Sequence, residues 1–233
     1  MAGSNSQGLP KRKLGQMMIG LAWLLMLGIL FFLYTYVTDM NMVGFLHDDA
    51  VYALTAKALA FGKGYKLLNL PLPHQPDFTW QVKYPIAYPL LLSLGWLIQP
   101  HFPQNLPWLH ALTSICGIVA VPLLYNYLRR VKQASLLLSA FICLIISVNF
   151  YYIYYSTSLM SEAPYFLWSL LALWCAERQD STTSPQAFFV GAILFSALAF
   201  HTRTVGVALI PAIFIALALR KQWKSAFLYL EIV

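Results

Sequence analysis

Long apolar runs separated by short basic clusters make up most of the chain, and one polar stretch interrupts them. Residues 14–37 carry no charge over about 24 positions, enough for one membrane span. After the interruption, five further apolar runs follow at 107–128, 134–150, 163–176, 186–200 and 204–219. The run at 163–176 is short unless residues from Leu159 join it. The pattern predicts an all-α, polytopic membrane helix bundle of about six spans. A seventh run at 225–233 is too short to cross a bilayer, so the chain reads as cut off inside a helix.

The polar stretch from Asp39 to Leu106 has its own order. Within 49–61, Val51, Leu54, Ala58 and Phe61 recur at helical spacing, which predicts a short amphipathic helix stopped by Gly62 and Gly64. A loop broken by Pro71, Pro73 and Pro76 follows. The apolar segment 86–98 is too short to span and reads as interfacial or re-entrant. Tyr151 to Tyr155 read as an interfacial aromatic belt.

Composition narrows the class. Hydrophobic residues are 60% and charged residues 10%, with mean hydropathy +0.65. A soluble domain carries about 45–50% apolar and about 25% charged residues. A disordered chain, a coiled coil and a polar nucleic-acid-binding domain are excluded. Cys116, Cys143 and Cys175 lie inside apolar runs without ligand spacing and read as small buried hydrophobes.

The net charge of +7 is explained by where the basic residues fall. With the N-terminus inside, Lys11, Arg12, Lys13, Arg129, Arg130, Lys132, Arg178, Arg220, Lys221 and Lys224 are internal. Lys57, Lys63, Lys66, Lys83 and Arg203 are external. This bias predicts a cytoplasmic tail over 1–13 and a transmembrane module over 14–233. Residues 38–106 then form the first extracytoplasmic loop.

That topology brings Asp48, Asp49, Glu162, His201 and Arg203 to one membrane face from three separate loops. Ionisable groups near membrane depth are expensive and mark functional sites. Arg203 breaks the positive-inside trend: it either binds a phosphate through its guanidinium fork or snorkels to the headgroups. Asp48 and Asp49 read equally as a helix N-cap and as a general base with metal-binding capacity. Glu162 is either a helix-terminal acid or a second site carboxylate. His74, His101 and His110 have no ligand spacing and read as ordinary loop or interfacial residues.

The order of these parts resembles the integral-membrane GT-C glycosyltransferases of the protein mannosyltransferase and aminoarabinose transferase type, glycosyltransferase family 39-like. Four stretches carry the resemblance: Asp48-Asp49-Ala50-Val51-Tyr52-Ala53 with Ala56 and Gly62 to Tyr65, Lys83-Tyr84-Pro85-Ile86-Ala87-Tyr88-Pro89-Leu90, Ser161-Glu162, and His201-Thr202-Arg203 with Val205-Gly206. It covers 14–219. The acidic pair is Asp-Asp where the family often has Asp-Glu, and family members usually carry further spans and often a C-terminal domain.

The resemblance implies a plasma-membrane enzyme moving a sugar from a polyprenyl-phosphate donor to an extracytoplasmic protein, glycolipid or polysaccharide, with inversion. Asp48 is then the base, with Asp49 beside it in the catalytic motif. Arg203 and Lys83 hold the donor phosphate, and Glu162, His201 and Tyr52 support the site. A divalent metal on Asp48, Asp49 and Glu162 is left open, and no nucleic acid is expected as partner. The competing reading is a non-catalytic membrane protein, a transporter subunit or a lipid-carrier-binding remnant of the fold.

Overall fold

A computed structural model describes residues 11–38, 43–44, 46–65, 84–178 and 185–233, with backbone alone for 11–23. Lys83, His74 and the proline-broken loop lie outside the described residues. Ten α-helices are present in chain order among the described residues, with no strand. They are α1 (Lys11–Val37), α2 (Asp48–Ala60), α3 (Ala87–Ile98), α4 (Leu106–Arg130) and α5 (Leu136–Val148), then α6 (Phe150–Thr157), α7 (Glu162–Arg178), α8 (Pro185–Thr202), α9 (Leu209–Leu219) and α10 (Trp223–Ile232). A 3-10 turn over Thr204–Ala208 joins α8 to α9.

The expected six spans are not all found. Among the fully described helices, α4 and α8 are long and apolar enough to cross a membrane. The pair α5 and α6 makes a third only if its 59° bend lies within one span. The backbone of α1 is helical over 27 residues, about 40 Å at 1.5 Å per residue. Each remaining run is shortened for a visible reason. Leu159 and Met160 stay outside α7, which starts at Glu162. The run 204–219 is divided because Gly206 turns against the backbone of Ala199 before α9 begins. The run 134–150 breaks at Asn149, whose extended backbone ends α5 and whose Oδ1 accepts the Tyr152 N–H at 3.2 Å. The aromatic belt is thus itself a short helix.

Helix α4 is the central post, packing against α1, α3, α5, α6 and α7. It runs alongside α7 in the same direction. Near the start of α4 the buried His110 donates from Nδ1 to the Thr157 carbonyl at 2.7 Å. Near its end the Tyr127 hydroxyl donates to Glu177 at 3.0 Å. His110 is therefore a buried helix residue, not the loop or interfacial residue expected from its spacing.

Small residues bring the helices together. Ala120, Ala172 and Ala199 are fully buried. Gly117 packs on Ser156, and Gly191 on Cys175. Lipid gives packed helices no hydrophobic gain, so close backbone approach through small residues replaces it. Leu24, Leu25, Phe32, Leu137, Phe141 and Leu144 stay outside as exposed large apolar side chains. That surface is compatible with a membrane protein. The three cysteines are buried and unbridged, as expected.

Charges collect at the helix ends. Glu177, one residue from the end of α7, takes an ion pair from Lys132 and another from Arg220 at 3.2 Å. Arg178 lies over the Trp174 ring. These basic residues all belong to the set expected on the inner face. The other end of α7 carries Glu162.

A Cβ on Gly206 would meet the Ala199 carbonyl at 2.7 Å, and neither backbone has room to yield. Gly206→Ala is expected to destabilise by about 1–3 kcal/mol. Gly28 faces open space, so Gly28→Ala should gain about 0.5–1 kcal/mol from helix propensity. Thermal unfolding of both variants in one detergent checks the opposite signs.

Candidate functional site

The site is built on α2, which packs against α3. The amphipathic pattern placed its apolar face on Val51, Leu54, Ala58 and Phe61. The buried face instead includes Asp49, Tyr52, Ala53, Thr55, Ala56 and Ala58, while Phe61 is exposed. Aromatic packing selects this rotation. Tyr52 meets the Tyr88 ring edge-on at 4.8 Å, and the Trp96 indole N–H donates to the Ala53 carbonyl at 3.0 Å. Small residues at 53 and 56 let α3 approach. Gly62 and Gly64, both at positive φ, end α2 as expected.

The two aspartates opening α2 do different things. Asp49 is buried, and its carboxylate accepts the Gly44 N–H at 2.9 Å and the Ala50 N–H at 2.6 Å. It ties down the turn leading into the helix. That turn forces His47 to φ 63°, a left-handed conformation uncommon outside glycine. Asp48 is half-buried, and its Oδ1 accepts the Tyr84 hydroxyl.

Tyr52 connects this end of α2 to the bundle. Its hydroxyl hydrogen-bonds the Ser161 hydroxyl at 3.1 Å, one residue before Glu162. Burial pushes the Tyr52 phenol up to about 12. The Ser161 bond opposes that rise, the charges of Asp48 and Glu162 add to it, and that of Arg203 opposes it. The charges of Asp48, Glu162 and Arg203 thus all act on one hydroxyl.

Glu162 and Arg203 form an ion pair. The pair exists because α7 and α8, of 17 and 18 residues, lie antiparallel, so the start of one meets the end of the other. Glu162 binds Arg203 through Oε1, while its Oε2 is buried with no hydrogen-bond partner among the described residues. Glu162 also borders an apolar cavity of about 390 Å³ at the α5–α6 bend, lined by Ile145, Ile146, Tyr152, Tyr155 and Phe166.

Of the residues singled out in the sequence, Asp48, Tyr52, Glu162 and Arg203 come together. Asp49 is adjacent but committed to its turn. His201 is exposed, with its ring against Phe200. Lys83 lies outside the described residues. Among the described residues, no group of three or more His, Cys, Asp or Glu is placed to hold a metal. Tyr84 and Ser161 were in quoted motifs without a role; only their folded contacts reveal one. No protein-family model, curated protein or solved structure matches the chain.

The raised Tyr52 phenol has a pH consequence. Its folded-state value of about 12 lies above the ordinary 10.0, so the folded state holds its proton longer than the unfolded chain. Its stabilisation is complete below pH 10 and is lost as pH rises to about 12. Thermal midpoints across that window should fall less steeply for Tyr52→Phe than for the unsubstituted protein.

Proposed function

We propose that the chain is a membrane glycosyltransferase that moves a sugar from a polyprenyl-phosphate donor to an acceptor on the extracytoplasmic side, with inversion. The observation that carries this reading is the chain of contacts that links Asp48, through Tyr84, Tyr52 and Ser161, to the neighbouring Glu162–Arg203 pair, beside an apolar cavity. A lipid-phosphate donor needs that combination: apolar space for its tail, a cation for its phosphate and a base for the acceptor proton. The resemblance of the acidic, proline-rich, Ser-Glu and His-Thr-Arg stretches to the GT-C enzymes adds to it.

In this reading Asp48 takes the acceptor proton, because it is half-buried and its carboxylate is held by Tyr84, whose ring lies on Tyr52. Arg203 receives the phosphate through its guanidinium fork. A phosphate leaves without protonation, so no second acid is required. Glu162 neutralises Arg203 before the donor arrives, and its unpartnered Oε2 then turns to acceptor hydrogen bonds. Asp49 holds the turn that presents Asp48. Lys83 joins Arg203 at the phosphate, and His201 supports that edge. The N-terminus is cytoplasmic, the enzyme sits in the plasma membrane, and the acceptor is a protein, glycolipid or polysaccharide.

The test is sugar transfer in membranes holding the full chain, from a panel of labelled polyprenyl-phosphate sugars. Asp48→Asn should remove transfer by at least about 100-fold, within the range general-base catalysis supplies, without changing the thermal midpoint. Arg203→Gln should weaken donor binding. Binding of the lipid carrier with no transfer from any donor would favour the non-catalytic reading.

A further inference from the structure

Tyr84 is held at two points on the helix that carries Asp48 and at a third on the segment that follows it. Its hydroxyl donates to Asp48 Oδ1. Its ring lies tilted on Tyr52, with centroids 5.1 Å apart. Its backbone carbonyl accepts the Tyr65 hydroxyl, just beyond the end of α2. Pro85 follows at once, which restricts the Tyr84 backbone to extended conformations and limits the paths its side chain can take.

A carboxylate acting as base needs one oxygen with a lone pair open to the acceptor. In Asp48 the Tyr84 hydroxyl occupies Oδ1. A side chain fixed at one oxygen also loses its freedom to rotate, so the other oxygen keeps a set direction. We propose that Tyr84 is a positioning residue which, by holding Oδ1, makes Oδ2 of Asp48 the atom that takes the acceptor proton. The proposal rests on the glycosyltransferase reading and deepens it.

The step balances. The acceptor oxygen or nitrogen forms a bond to the anomeric carbon of the sugar. The bond from that carbon to the phosphate oxygen breaks, and its electron pair leaves with the polyprenyl phosphate. The acceptor proton passes to Asp48 Oδ2. Tyr84 keeps its own proton throughout, since it donates the same hydrogen bond before and after the transfer.

Position and packing are separable. Tyr84→Phe keeps the ring on Tyr52 and the carbonyl for Tyr65, and removes only the hydroxyl. Tyr84→Leu removes the ring contact as well. Transfer kinetics are measured in membranes with the donor active for the unsubstituted protein, alongside thermal midpoints. Tyr84→Phe should lower kcat by about 10–100-fold, the scale of a misplaced catalytic group. Its donor KM should stay within about twofold, because uniform binding is untouched, and its thermal midpoint should not move. An unchanged kcat in Tyr84→Phe overturns the proposal while leaving the glycosyltransferase reading intact. Equal kcat losses in both variants, each with a lowered thermal midpoint, reduce Tyr84 to packing and overturn it too. No transfer by the unsubstituted protein from any donor overturns the reading, and the role of Tyr84 falls with it.

Discussion

The antiparallel pairing of α7 and α8 is the constraint on which the charged end of the molecule depends. Two helices of 17 and 18 residues, laid side by side in opposite directions, must bring the first residue of one to the last of the other. Glu162 is the first residue of α7 and Arg203 directly follows the last of α8, so the pairing of the helices itself arranges the ion pair. Cys175 against Gly191 and Trp168 stacked on Phe195 fix the register along the pair. The same register leaves Glu177 at the opposite end, where Lys132 and Arg220 reach it. One packing decision therefore separates two charge clusters by the length of a helix, about 25 Å at 1.5 Å per residue.

On that frame α2 acts as a cap rather than a beam. It is tied to α3 through Trp96 and Tyr88 and to the bundle through Tyr52 and Ser161. The strain at His47 and the two backbone N–H groups taken by Asp49 follow from fitting a sharp turn before the helix. Neighbouring carboxylates one residue apart thus divide into one that shapes the backbone and one that faces the site.

Much of the architecture could be read from the chain. Lys132, Arg178 and Arg220 gather at one end of α7 and Arg203 at the other. The boundaries of α2, α3, α4 and α8 lie within a few residues of their apolar patterns. The count of spans could not be read so well, because length in sequence does not show where a helix breaks. Asn149 ends α5 without proline or glycine, and its only signal is a capping side chain before an aromatic run. Gly206 signals its turn only through contact with Ala199. In the site, Tyr52 and Ser161 are 109 residues apart and Tyr84 and Asp48 are 36 apart, so no local pattern joins them. The rotation of α2 was misread for a related reason: its rings and small residues answer to α3, not to a periodic apolar stripe.

Taken as one broken span, α5 and α6 would meet bilayers of different thickness through the break at Asn149. A straight helix adjusts to a thinner or thicker hydrocarbon layer by tilting as a whole, which carries every partner along with it. A pair already bent by 59° adjusts by opening or closing that angle. Both helices pack on α4, and the cavity between that elbow and α7 would change width with the angle. Glu162 lines that cavity and pairs with Arg203, so a change in the elbow reaches the charged end of the molecule directly.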